Sequence, residues 1–335
     1  MNTPRELLRV LLDDQAGTWS GPGPADDRVA EILELAKANG VLLRAARRLG
    51  RRRRDLPVQF ETAVAAEEHR AASLLGLIKR IAELCAVQQV PHVFLTTLEG
   101  YPDVGRDVDV LVLREPAGAA QSWIDPLGGK PLRQDLSDRL AAAARYETDA
   151  GEVDVHTDRL GRVGEDAAFA RAVVARRRLT AVGGIEFFGP APADTLVLQG
   201  MRRMYTRRGI RVSDIIATVR VVRRADFEWS EAFATAERFG ALEAVNCYLG
   251  YVERVHHDVL GTPLLPPKIT QRINANRWGR IGSRHGSERF PTAPVSASLY
   301  LRKLSASIAS RRWAAAGRLC LLPVLGATAA VRSVR

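Results

Sequence analysis

The stretch VFLTTLEGYPDVGRDVDVLVLREP, Val93 to Pro116, decides the fold. Two short apolar runs, PHVFLTT and DVDVLVL, flank a loop rich in Gly, Pro and Asp. Both runs are rich in Val, Leu and Phe and read as strands. The second opens with two aspartates one residue apart, Asp107 and Asp109, although aspartate is a poor strand former. Side chains alternate between the two faces of a strand, so residues two apart share a face. Asp107 and Asp109 therefore point one way while Val108 and Val110 point into a core. Two like charges on one face repel unless a cation sits between them. A hard divalent ion, Mg²⁺ or Mn²⁺, suits such oxygen ligands and is commonly shared with substrate phosphates. The plainer reading is a pair of aspartates that caps the strand and ends the loop.

A third carboxylate would complete a two-metal clamp. Asp154 in GEVDVHTD lies mid-strand between valines, in a segment, ARYETDAGEVDVHTD, that reads as a hairpin turning at Ala150-Gly151. If that strand pairs beside the first, Asp107, Asp109 and Asp154 converge, the layout of phosphoryl and nucleotidyl transfer sites. Otherwise Asp154 is an exposed hairpin residue at a sheet edge. His156 shares the face of Asp154 and either orients that carboxylate, contacts substrate or is simply half exposed. Arg106 either meets a phosphate or only neutralises the two aspartates. Arg202, Arg203, Arg207, Arg208 and Arg211 surround the MYT tripeptide. Some of them could line a groove for an anion; Arg211 with Asp214 reads rather as a helix-start pair. Glu99 and Asp103 belong to the loop and receive no role.

Around this centre the pattern is helical. DDRVAEILELAKANGVLLRAARRLG spaces its apolar residues as a helix, with Asp at the start and Gly at the stop. VQFETAVAAEEHRAASLLGLIKRIAELCAVQQ is a longer helical pattern, and the run Arg51–Arg54 lies between the two. That run is either a solvated face beside a helix end or a contact for phosphate or nucleic acid. AGAAQSWIDPL reads as a short helix. Helical periodicity returns from Glu165 through DAAFARAVVARRRL, ADTLVLQGMRRMYTRR, VSDIIATVRVVRRA, WSEAFATAERFG and LEAVNCYLGYVERVHHDVL, and GTPLLPP closes the compact body. The fold expected is α/β: a small mixed β-sheet at 89–160 carries the carboxylates, between helical regions at 1–88 and 161–267, with a basic tail at 268–335.

Bulk properties narrow the setting. A chain of 335 residues, 46% apolar, can bury two or three compact units. Cys85, Cys247 and Cys320 lie too far apart for a zinc or disulfide framework, which points to a reducing, cytoplasmic compartment. The start, MNTPRELLRVLLDDQ, has no basic segment leading into an apolar one, so no secretory signal is expected. No stretch of bilayer-spanning length is apolar enough to cross a membrane. The net charge is +11, and residues 268–335 hold 13 of the 49 basic groups but only one acid, Glu288. The excess therefore sits in the tail, which suits an anionic membrane surface, nucleic acid or an acidic partner, or else is a solvated end. In SASLYLRKLSASIASRRWAAAGRLCLL, Leu301, Leu304 and Ile308 recur at helical spacing while Arg302, Lys303, Arg311 and Arg312 fall largely elsewhere. Such a helix lies on an anionic membrane, making the protein peripheral there, or docks on the body.

GRDVDVLV resembles the h-D-h-[DE]-h pattern of the nucleotidyltransferase superfamily typified by DNA polymerase β, and VDVHTD resembles its third-carboxylate strand. The likeness is to a branch of uncharacterised bacterial nucleotidyltransferases with helical flanks. ANGVLLRAARRLG and LCAVQQVPHVFL resemble its preface, PAPADTLVLQGMRRMYTRRGIRVSDIIATVRVV its Pro-led helix and basic stretch, and FEWSEAFATAERFGALEAVNCYLGYVERVHHDVLGTPLLPP its closing helices. The resemblance covers roughly residues 28–267. It implies two Mg²⁺ (or Mn²⁺) ions held by Asp107, Asp109 and Asp154. It also implies transfer of an NMP from an NTP to an unknown hydroxyl acceptor, with release of pyrophosphate and Asp154 as base. Where the family usually has Lys-Gly or Arg-Gly after the first strand, this chain has LTTLEG. Thr96 and Thr97 stand at about that distance, and their hydroxyls can donate to phosphate. Where a family histidine follows the third carboxylate, this chain has Tyr205 nearby. The missing basic residue leaves a second reading open: a catalytically weak module docked on an anionic membrane or nucleic acid through its tail. A sequence-specific DNA binder is the weakest reading, because no helix-turn-helix pattern stands out.

Overall fold

Alternation along one strand settles which layer lies on which side. In the strand Asp107–Val112 the valines at 108, 110 and 112 face one way and Asp107, Asp109 and Leu111 the other. Val108, Val110, Val153 and Val155 are fully buried and pack with Leu74, Ile78, Ile81 and Cys85 of one long helix. Each such valine contributes about 1.5–3 kcal/mol by leaving water. The computed structural model describes residues 3–12, 26–50, 58–95, 98, 100–113, 124–133, 143–157, 159–160, 167–206, 209–275, 290–291 and 295–321.

Among the described residues four helices lead in: α1 (Thr3–Leu12), α2 (Asp26–Ala38), α3 (Leu42–Gly50) and the 30-residue α4 (Val58–Val87). The central sheet has five strands, β1 (His92–Phe94), β2 (Asp107–Val112), β3 (Lys130–Pro131), β4 (Ala143–Thr148) and β5 (Gly151–Thr157). Their spatial order is β1-β2-β5-β4-β3. Only β2 and β5 run parallel; every other pairing is antiparallel, so the sheet is mixed. The fold is thus α/β with helices on both sides of the sheet. Helix α4 covers the valine face. The aspartate face looks toward a larger core that takes in Val93, Leu95 and Leu111 together with the helices that follow.

Those helices are α5 (Ala167–Ala175), α6 (Pro192–Met201), α7 (Val212–Val222), α8 (Trp229–Arg238) and α9 (Leu242–Leu260). All ten residues of α6 are buried. Asp194, wholly buried in its first turn, binds Arg176, whose Nε donates at 3.1 Å. Further along, Thr218 Oγ1 donates to Gln199 Oε1 at 2.7 Å and lies 2.6 Å from Tyr248 Oη. This buried chain of polar groups ties α6, α7 and α9 together. Gly200 lets α6 and α9 come close: a Cβ there would sit 3.1 Å from Val245 Cα.

Three local expectations change. Helical spacing through Arg178 and Leu179 gives way to a hairpin, β6 (Arg178–Val182) and β7 (Ile185–Gly189). Its turn is Gly183-Gly184, with φ of +59° and +82°, the positive pair that a two-residue hairpin turn requires. Phe187 packs edge-on against Phe94 of β1, 5.8 Å between ring centres, which holds the hairpin to the sheet. ADTLVLQGMRRMYTRR is not one helix either: α6 ends at Met201 and a π turn, Arg202–Thr206, follows. Third, packing does not stop at GTPLLPP. Ile273 of α10 (Pro267–Ala275) and Leu299 of α11 (Val295–Ala309) are buried in the same core as α6 and α9. Two short strands, β8 (Gly209–Ile210) and β9 (Phe290–Pro291), pair antiparallel beside them, and residues 313–321 are helical. Arg51–Arg54, Glu99, Arg207, Arg208 and most of the AGAAQSWIDPL segment lie outside the described residues.

Candidate active site

The parallel register sets Asp109 directly opposite Asp154 and Asp107 opposite Glu152. Partners across a ladder share a face, so the hairpin strand brings the third carboxylate to the first two. One carboxylate oxygen from each of Asp107, Asp109 and Asp154 lies within 4.8 Å of the others. Such a set of hard oxygen donors fits a divalent cation of the Mg²⁺ or Mn²⁺ class.

Asp109 is the buried member, 7% exposed. Its Oδ1 accepts from His156 Nε2 at 2.8 Å and its Oδ2 from Arg202 Nη1 at 3.2 Å. Burial alone would push its carboxyl up, but Arg202 and His156 outweigh burial and hold it far below the usual carboxylate range. Asp109 is therefore ionised. Asp154 moves the other way. Burial raises it first and the charge on Asp109 second; Arg145, whose Nε lies 3.2 Å from Asp154 Oδ1, offsets part of this, and Asp107 adds to the rise. Arg145 also bonds Glu152 through Nη2 at 2.7 Å. In this way β4 contributes a counter-ion to the same face.

Of the residues singled out in the sequence, Asp107, Asp109, Asp154 and His156 stand together. His156 shares the face of Asp154 but bonds Asp109 instead. Its Nδ1 is buried and has no hydrogen-bond partner among the described residues. Arg106 is exposed at the head of β2, and no described contact joins it to the carboxylates. Thr96 and Thr97 lie outside the described residues.

Sequence reasoning missed Arg145 and Glu152, and it did not separate Arg202 from its neighbours. The π turn makes that separation. Arg202 reaches Asp109, while Arg203 Nη2 lies 2.6 Å from Asp214 Oδ1 at the start of α7. Asp214 Oδ2 also accepts from the Arg211 backbone N–H at 2.7 Å, so this pair has the helix-start role expected of it. Asp103, given no role, caps α3 from sixty residues away: its Oδ1 accepts from Leu43 N at 2.7 Å and its Oδ2 from Arg44 N at 3.3 Å. That fastens the loop ahead of β2.

No curated protein matches the sequence. Among solved structures the chain is similar to an antigenic nucleotidyltransferase-like protein from Paracoccidioides brasiliensis, at 12% identity and a TM-score of 0.41, over 60% of this chain and 97% of that one. It is also similar to the antibiotic-resistance factor ANT(2'')-Ia, at 10% identity and a TM-score of 0.30, over 56% of this chain and 91% of that one. A family model, described as uncharacterised nucleotidyltransferase, matches residues 26–257. With well over half its length inside that match, the chain belongs to the family of uncharacterised nucleotidyltransferases.

Proposed function

We propose that the protein is a metal-dependent nucleotidyltransferase that moves an NMP from an NTP to a hydroxyl acceptor and releases pyrophosphate. One observation carries the reading: the β2–β5 register gathers Asp107, Asp109 and Asp154 on one face, with Asp109 held ionised. In this reading the three carboxylates hold Mg²⁺ or Mn²⁺. A cation bound there would supply Lewis-acid polarisation of the transferred phosphoryl group. The chain supplies the rest. Asp154, the carboxylate whose proton affinity is raised, accepts the proton of the acceptor hydroxyl. His156 fixes the orientation of Asp109, and Arg202 offers a guanidinium to the phosphate charge beside it. Thr96 and Thr97, at the place of the family's basic-Gly step, and Arg106, next to Asp107, are assigned to phosphate contact from their sequence positions alone.

A second reading draws on a different observation. Both oxygens of Asp109 already have partners in Arg202 and His156, as in a site that keeps its shape without a cation. The chain would then be a catalytically weak module docked through residues 268–335 on an anionic membrane or nucleic acid. On α11 and the helical segment after it, Leu301, Ile308 and Trp313 are exposed beside Arg302, Arg311 and Arg312, the composition of a surface-lying helix. Among the described residues no helix is long and apolar enough to cross a membrane.

A thermal-shift titration with each Mg²⁺–NTP, on the wild type and on Asp107→Asn/Asp109→Asn, separates the two. At a ligand concentration 100 times Kd the linkage is about 2.7 kcal/mol, a rise of a few degrees in Tm. A metal-dependent rise that the double variant loses supports the enzyme. If no nucleotide moves either protein, the enzyme reading falls, and binding to anionic liposomes or oligonucleotides tests the module.

A further inference from the structure

Away from the carboxylates, the C-terminal turn of α1, helix α3, the loop ahead of β2 and helix α7 enclose a basin of about 380 Å³. We propose that it binds an organic phosphate of mononucleotide size. Its rim carries four guanidinium groups, Arg44, Arg47 and Arg48 from α3 and Arg220 from α7. No acidic residue stands among the described residues lining it. Beneath the rim the wall is apolar, with Leu11, Leu12, Ile216 and Val219.

The cations press on one another. Arg44 is 12% exposed at its side chain, and its ionisation is pulled down to about 10, by burial first and then by Arg220, with Asp103 offsetting and Arg48 adding. Asp103 answers Arg44 at 3.7 Å, and Glu68 answers Arg47 at 3.5 Å across a half-exposed pair. Arg44 and Arg220 also donate to the carbonyl of Tyr101, at 3.0 and 2.8 Å. Those two hold the loop, while Arg47 and Arg48 line the rim from the outer face of α3. Guanidinium groups bind phosphate oxygens bidentately and strongly. The basin, about 380 Å³ over an apolar floor, has room for a phosphate carried on a carbon skeleton rather than the bare ion alone.

The inference is independent of the transferase reading, and its test keeps the two apart. Binding of AMP, ribose 5-phosphate and inorganic pyrophosphate is measured by calorimetry in EDTA, on the wild type, on Asp107→Asn/Asp109→Asn and on Arg47→Ser/Arg48→Ser. AMP is expected to bind the first two equally, to weaken about tenfold or more in the arginine variant and to weaken with added salt. Pyrophosphate is expected to bind more weakly than AMP. The proposal is overturned if no phosphate probe binds at millimolar concentration, or if the arginine variant binds as the wild type does. Pyrophosphate equal to AMP overturns the organic class. Binding confined to longer oligonucleotides overturns the small ligand in favour of a nucleic-acid surface. Should the double variant unfold, Arg47→Ser alone carries the test, because its side chain is half exposed.

Discussion

Arg202 Nη1 stands 3.2 Å from Asp109 Oδ2 although 93 residues of chain separate the two. A buried carboxylate that loses its cation is left uncompensated, which costs about 3–5 kcal/mol for a fully buried pair. Arg202 is one-fifth exposed and His156 stays in place, so Arg202→Met is expected to cost about 2–3 kcal/mol in urea unfolding with EDTA. Mg²⁺ is expected to narrow that gap by replacing the missing positive charge. A gap unchanged at saturating Mg²⁺ counts against a cation site at Asp109.

Asp154 yields a pH profile. Its folded pKa lies above the ordinary value, so the folded state holds the proton more tightly than the unfolded one. Stability from this group is present at low pH and lost as pH rises through the folded pKa. Without metal, Asp154→Asn is therefore expected to unfold later than the wild type at pH 7, with the two curves converging in acid. If Asp154 is the base, the same change lowers turnover about 10²–10⁴-fold. A variant less stable than the wild type at pH 7 would show that Arg145 needs Asp154 more than Asp109 repels it.

Asp103 tests the tether ahead of β2. Burial, stronger than the pull of Arg44 and of the two backbone N–H groups, lifts its carboxyl to about 6. The folded value is again above the unfolded one, so stability falls as pH climbs from about 4 to 6. Asp103→Asn keeps an oxygen for Leu43 N and removes that slope. Asp103→Ala also removes the slope and in addition loses the cap of α3, which costs about 1–2 kcal/mol relative to Asp103→Asn at either pH. Paired denaturation curves at pH 4 and pH 7 read both effects.

Thr218→Val strips the hydroxyl that joins Gln199 to Tyr248. It takes one partner each from the Gln199 carbonyl and the Tyr248 hydroxyl inside the core, while Tyr248 still donates to the Asp214 carbonyl at 3.1 Å. The expected loss is about 1–3 kcal/mol, measured by chemical denaturation, with no change in metal binding.

Much of the centre was legible because strand periodicity is strict. Asp107 and Asp109 could share a face only if Val108 and Val110 shared the other, and Ala150-Gly151 marked, one residue late, the Asp149-Ala150 turn that delivers Asp154. The β6–β7 hairpin was marked too, by Gly183-Gly184 between β-formers, but the arginines before it continue the helical spacing of α5. Arg202 could not be told from Arg203, because their divergence depends on a π turn that no local spacing announces. Arg145 and Glu152 matter only through the antiparallel register of β4 on β5. The docking of α10 and α11 buries Ile273 and Leu299 and adds Arg272 over the Phe233 ring and Lys303 over the Tyr205 ring, all within a segment whose Ser, Gly and Pro content suggested a loose end.

The pairing of β5 with β2 also guards the site against assembly errors. Were β5 to slip by one residue, Asp154 and His156 would turn into the layer beneath α4, while Val153 and Val155 would surface among the carboxylates. A mispaired sheet would thus bury a charge in oil and strand two valines in water. The residues that face the core enforce the address of the carboxylates opposite, and a chain that folds at all folds with its three acids in place.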